Sequence, residues 1–191
     1  MGKGQRFERE FCKRLSLWWT GGRRDDVFWR TVGSGAWVTM RKKRGMDAPR
    51  RQWGDVVAVD PEGEFLTEHV AFELKRGYGY QRFQDVFNEF SPLRRWFAKG
   101  LHHKYETGRD VILVLSHRTQ QMMVITQPLG GRLSLLPKFA VCSFYMYIPD
   151  MGGQGGFTFV PIVDFFETVE PGYIRQIYEG KKFRLEHDQT D

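Results

Sequence analysis

The chain has 191 residues with 41% hydrophobic and 15% aromatic content, a composition that suits one folded domain with a real core and excludes a disordered chain. No apolar run reaches the roughly 20 residues of a membrane span, and the start, Met1-Gly2-Lys3-Gly4-Gln5-Arg6, lacks the apolar stretch of a signal peptide. A cytoplasmic, intracellular protein is expected, with Cys12 and Cys142 as reduced thiols, since they form neither a CxxC pair nor a disulfide framework.

The net charge of +6 is uneven: residues 1–53 hold 14 Lys+Arg against 5 Asp+Glu, a net of +9, and the remainder carries −3. Such a split points to a polyanion on one side of the molecule. The stretch around the densest basic cluster has no amphipathic period, which argues against a membrane surface as that polyanion.

In chain order, Phe7, Phe11, Leu15 and Trp18 recur at helical spacing and predict a helix over about 5–19, ended by Gly21-Gly22. Residues 27–32 read as a strand leading into the Gly33-Ser34-Gly35 turn and a basic loop over 41–51. Two strands follow, about 53–60 and 68–75, joined through Asp60-Pro61-Glu62-Gly63 as a hairpin-like turn. A helix near 80–90 comes next, then one capped by Ser91-Pro92 and running to about Gly100. The all-apolar run 111–115 reads as a central strand covered on both faces. Further strands are expected near 121–126, 141–148 and 157–160, then a short helix around 162–168 and a polar tail after about Lys182.

Two carboxylates stand out against this pattern. Asp55 lies in Trp53-Gly54-Asp55-Val56-Val57 and Glu73 in Val70-Ala71-Phe72-Glu73-Leu74-Lys75, both inside short apolar runs. An unpaired charge taken out of water there costs on the order of several kcal/mol. A hard divalent cation would remove that cost. Lys75, two residues after Glu73 on a strand, shares its face. Two acids and an amine at one sheet edge are the equipment for phosphodiester hydrolysis, although an ordinary strand-end ion pair between Lys75 and Glu73 is the plainer reading.

The order helix, strand, strand with Asp, strand with Glu-x-Lys, helix, strand resembles the PD-(D/E)XK nuclease superfamily, with the archaeal-type Holliday-junction resolvases as the nearest subgroup. The resemblance rests on Lys3–Glu10, Arg30–Gly35, Gly54–Ala58 (Gly54 standing where the family often has Pro) and Phe72–Lys75, and covers about 3–116, with extra strands and a helix over about 117–182. It implies an α/β fold, a restriction-endonuclease-like mixed sheet flanked by helices. It further implies a Mg²⁺- or Mn²⁺-dependent DNA endonuclease in which Asp55, Glu73 and the Leu74 carbonyl hold the cation and Lys75 orients the attacking water.

Of the two acids on the first helix, Glu8 borders the apolar face and is the candidate ligand, unless it is an acid that merely suits the helix dipole; Glu10 neighbours Lys13 and Arg14 and reads as surface. Ser34 would touch a phosphate from its turn, and Gln84, rather than Gln81, would assist at the site; either glutamine also reads as a solvated helix residue. Arg41, Lys42, Lys43, Arg44, Arg50 and Arg51, six basic residues in eleven positions, would clamp phosphates without reading sequence. His102 and His103 are adjacent on a helix and point different ways, so zinc is not indicated. Trp37 could stack on an unpaired base. Symmetric cleavage of two strands calls for a homodimer. The competing readings are a repair, replication or mobile-element nuclease cutting flaps, single strands or duplex, and a nucleic-acid-binding module without turnover.

Overall fold

A computed structural model describes residues 3–31, 43–45, 54–76, 85, 88, 90–117, 120–148 and 156–180. The first helix, α1 (Lys3–Trp19), buries Phe7, Phe11, Leu15 and Trp19 along one stripe. Each such side chain contributes about 1.5–3 kcal/mol when fully buried, which sets the helix firmly on the sheet. It ends where Gly21 and Gly22 turn to positive φ and the Gly22 N–H donates to the Leu17 carbonyl at 2.6 Å.

Strand β1 (Phe28–Arg30) pairs antiparallel with β2 (Val56–Ala58), with Trp29 opposite Val57. The link from β2 to the next strand is not the expected hairpin. Asp60 Oδ1 accepts from the Glu62 N–H at 3.0 Å and caps a 3-10 turn, Pro61–Gly63, which leads into a short helix, α2 (Glu64–His69). The turn tucks beneath β1 so tightly that a Cβ at Gly63 would lie 2.7 Å from side-chain atoms of both Val27 and Phe28.

β3 (Val70–Arg76) then opens a five-stranded sheet with β4 (Asp110–His117), β5 (Gln120–Thr126), β6 (Phe144–Tyr147) and β7 (Gly156–Pro161), in the order β3-β4-β5-β7-β6. β3 and β4 are parallel, with Glu73 opposite Leu113; the remaining pairs are antiparallel. The crossover joining β3 to β4 contains α3 (Pro92–Thr107), a full turn and more beyond the expected end at Gly100.

The pleat sorts the strands into two cores. Phe72, Ile112, Val114 and Met123 face α1 and the C-terminal helices α6 (Ile162–Thr168) and α7 (Pro171–Glu179). Ala71, Val111, Leu113 and Val124 face Leu93, Phe97 and Leu101 of α3. β4, paired on both sides and covered on both faces, is the central strand its apolar run implies. Two short helices, α4 (Leu129–Leu133) and α5 (Pro137–Cys142), lie between β5 and β6, so that the strand expected over 141–148 begins only at Phe144. The result is a mixed sheet with helices on both faces, the restriction-endonuclease-like architecture. Among the described residues no helix is long and apolar enough to cross a membrane.

Candidate active site

The site is built at the free edge of β3. Gly54 passes that edge with φ +88°, and a Cβ there would sit 2.8 Å from the Phe72 carbonyl oxygen. Any residue with a side chain would be strained on both counts, and proline, held near φ −65°, could not take that turn. The close pass lets the Asp55 N–H donate to the Phe72 carbonyl at 2.6 Å, while the Asp55 carbonyl accepts from the Thr31 N–H at 3.0 Å. The Thr31 hydroxyl donates to the Gly54 carbonyl at 2.5 Å. Asp55 Oδ2 accepts from the Leu74 N–H at 2.7 Å. Backbone and side chain of Asp55 are therefore both pinned to β3.

Because the N–H and C=O of one strand residue point the same way, the bond from Leu74 also tells where its carbonyl points. It faces the Asp55 side of β3 and not β4.

Glu73 and Lys75, two positions apart, share the face covered by α3. The Lys75 ammonium lies 2.9 Å from Glu73 Oε2 and 3.6 Å from Asp55 Oδ2, so one point reaches both carboxylates. α3 adds a second ammonium and an imidazole. Lys99 Nζ lies 3.7 Å from Glu73 Oε2, and His103 Nδ1 lies 3.1 Å from Glu73 Oε1. The Glu73 side chain is only 4% exposed, which explains why so much positive charge gathers on it.

Burial, and then the charge of Glu73, hold the Asp55 carboxyl above the usual aspartate range, against the opposing Leu74 N–H and the lysines. For Lys75 burial pulls downward, but Asp55 and Glu73 outweigh it and the ammonium is held more firmly than in water. Burial lowers His103, with Glu73 pulling the other way.

Glu8 does not join this group. Its Oε2 pairs with Arg30 Nη1 at 3.0 Å, tying α1 to the end of β1, next to the Thr31 that fixes Asp55. Among the described residues no three His, Cys, Asp or Glu side chains gather as a metal cage. Asp55, Glu73 and the Leu74 carbonyl, all hard oxygens, are the groups here that could hold a cation. That suits Mg²⁺ or Mn²⁺, which keep several waters and are held through one or two carboxylates together with substrate phosphate. The partly neutralised pair of carboxylates at Asp55 and Glu73 fits such an ion electrostatically.

Of the basic loop, Lys43 is exposed. Arg44 is drawn into the protein instead: its guanidinium donates to Asp26 Oδ2 at 2.6 Å and to the Asp26 and Val59 carbonyls at 3.1 Å, and pairs with Asp60 Oδ2 at 3.3 Å. It is an anchor for the loop and not a phosphate clamp, because those donors are already engaged. Ser34, Trp37, Arg41, Lys42, Arg50, Arg51, Gln81 and Gln84 lie outside the described residues. Glu10 is exposed and pairs with Arg6 at 2.7 Å.

Sequence reasoning missed Lys99 and weighed His103 only as a zinc ligand. Their spacing of four on one helix was the available signal, obscured by ending the helix at about Gly100. That glycine is buried, and a Cβ there would meet Leu113 at an ordinary 3.5 Å.

Residues 1–140, which include every residue of this cluster, match the family model described as "Phage putative PDDEXK endonuclease". No curated protein and no solved structure matches the chain.

Proposed function

The chain belongs to the phage PDDEXK endonuclease family, and on that premise we propose that it is a divalent-cation-dependent DNA endonuclease with structure-selective, Holliday-junction-resolvase-like cleavage. The observation that carries this reading is the single ammonium of Lys75 placed 2.9 Å from Glu73 and 3.6 Å from Asp55 at a strand edge. Asp55, Glu73 and the Leu74 carbonyl would hold Mg²⁺ or Mn²⁺. When bound, such an ion polarises the scissile phosphate and lowers the pKa of a coordinated water.

The chain's own groups do the rest. Asp55 and Glu73 favour the ammonium form of Lys75, whose part would be to orient the attacking water and to stabilise negative charge as it grows on the phosphorus oxygens. The Leu74 N–H fixes the carboxylate of Asp55, and His103 braces that of Glu73. Glu8, with Arg30, holds the β1 end against α1 and so steadies the Asp55 turn; it acts on the wall of the site rather than on substrate. Lys43 and, on sequence grounds, Ser34, Arg41, Lys42, Arg50, Arg51 and Gln84 would contact the DNA backbone. Cutting both strands symmetrically would use a homodimer.

The test is a comparison of a four-way junction, a flap, a single strand and a plain duplex, each incubated with the protein and Mg²⁺. Preferential nicking of the junction supports the resolvase-like reading. Preferential cutting of flaps or single strands assigns the enzyme to repair or replication chemistry. DNA binding with a steep salt dependence and no cleavage of any substrate would leave only a binding module and overturn the proposal. A sedimentation measurement showing a monomer during cleavage would remove the dimer.

A further inference from the structure

α3 has an unusual charge pattern. From Pro92 to Tyr105 it carries Arg94, Arg95, Lys99, His102, His103 and Lys104 and no Asp or Glu. Solvent-facing helices normally interleave both signs, and like charges four residues apart repel. Arg95 and Lys99 are such a pair, and both are exposed. Lys104 is spent on Asp110, and His103 turns inward to Glu73.

Lys99 is placed between two environments. Its ammonium lies 3.7 Å from Glu73 Oε2, yet its side chain is 54% exposed, so it stands at the rim of the Asp55–Glu73–Lys75 cluster and is open to a ligand arriving from solvent. One turn earlier, Arg95 Nη2 donates to the Phe90 carbonyl at 2.9 Å. That bond uses one of five guanidinium donors and fixes the group at the start of the helix. A polyanion laid along this face would relieve the repulsion between the two and would end at the buried carboxylates.

We propose that the solvent face of α3, through Arg95 and Lys99, is a second docking surface for the phosphodiester backbone of DNA, seating a strand over the Asp55–Glu73–Lys75 cluster. This surface is separate in sequence from the basic loop over 41–51. The inference rests on the nuclease reading above, because it takes DNA to be what the site acts on. The rival role for Lys99, simple charge balance for Glu73, makes no use of Arg95 and leaves the salt dependence of binding unchanged.

The experiment is a salt titration of binding to a labelled duplex, followed by fluorescence anisotropy with chelator present so that nothing is cut. It compares wild type, R95A, K99A, the double variant, K99R, and K138A as a control that removes an exposed charge on α5, across the sheet from α3. Each of R95A and K99A should lower the slope of log affinity against log salt by about one and weaken binding roughly tenfold at about 0.1 M salt. K99R should restore the slope, while K138A should match wild type. K99E, which keeps a solvent-compatible side chain, should weaken binding further than K99A and serves should K99A fail to fold. Wild-type affinity and slope in the double variant overturn the proposal, as does an equal loss in K138A, which would reduce the effect to net charge. Should wild type cut no substrate with Mg²⁺ while R95A and K99A still lose binding, the nuclease reading falls and the docking surface stands. Should wild type cut while the double variant binds normally, only the docking surface falls.

Discussion

Lys99 and Lys104 sit on the same helix and serve two buried acids on neighbouring strands, yet the two clusters are built to opposite ends. Around Asp110 at the start of β4, one acid meets one ammonium at 2.5 Å and the Tyr178 hydroxyl at 2.8 Å, and Lys104 also donates to the Gln127 carbonyl. Everything is matched and close. Burial beside Asp110 pushes the Tyr178 hydroxyl far above its ordinary range, so it stays a donor at any working pH. Around Glu73, two acids share two ammonium groups and the His103 ring at 2.9, 3.1, 3.6 and 3.7 Å, and the second acid, Asp55, is held above its usual range by burial and by its neighbour. A closed pair fastens α7 to the sheet and to α3. The pair at the strand edge is more loosely neutralised, with two of its contacts at 3.6 and 3.7 Å. The same ingredients give a closed structural pair in one place and a looser cluster in the other, and the difference lies in stoichiometry and distance.

That contrast can be broken by removing side chains from each cluster. D55A, E73A or K75A should reduce DNA cleavage on the order of 10³-fold or more while DNA binding survives, read from initial rates with Mg²⁺ and from anisotropy without it. D110A should instead lower stability by about 3–5 kcal/mol, because it strands a buried ammonium, and Y178F by about 1 kcal/mol. Urea unfolding measures both, and the folded fraction should retain its cleavage rate per molecule. If D110A abolishes cleavage in folded protein, the two clusters are not separate.

Smaller effects sharpen the comparison. Mn²⁺ at about 100 times its dissociation constant should stabilise wild type by about 2.7 kcal/mol, seen as a rise in melting temperature that E73Q and D55N lack and D110A retains. In chelator the sign reverses for Asp55. A carboxyl whose pKa is raised on folding adds stability below its unfolded pKa and loses it as pH rises through the folded value. D55N, whose amide oxygen can still accept from the Leu74 N–H, should therefore melt above wild type at neutral pH, with the gap closing as the medium is acidified through that window.

Much of this was legible in the chain. A carboxylate inside an apolar run has few stable fates, so Asp55 and Glu73 declared themselves, and strand alternation put Lys75 beside Glu73 without further information. The central strand followed from an uninterrupted run of Val, Ile and Leu. What was not legible depended on partners distant in sequence. Residues 60–69 resemble the tip of a hairpin because Asp-Pro-Glu-Gly is turn chemistry, but Phe65 and Leu66 find a core beneath β1 and make a helix the better solution. Gly100 read as a stop because nothing local shows that the helix runs on and buries this glycine against Leu113, and with it went the alignment of Lys99 and His103 toward Glu73. α7 carried its own signal, Pro171 at the first helical position and Gly180 at φ +69° just past the end, with Ile174 and Ile177 buried between them. The position of Glu8 beside Arg30, and not beside Glu73, follows from α1 packing on the opposite face of the sheet, which no local pattern encodes.

The central claim, that Asp55 and Glu73 hold one divalent ion for phosphodiester hydrolysis, is tested most directly by following a single labelled DNA with wild type, D55N and E73Q in Mg²⁺ and in chelator. Cleavage by wild type alone, and only with the cation, is the predicted result. Cleavage in chelator, or a wild-type rate in either variant, would contradict it.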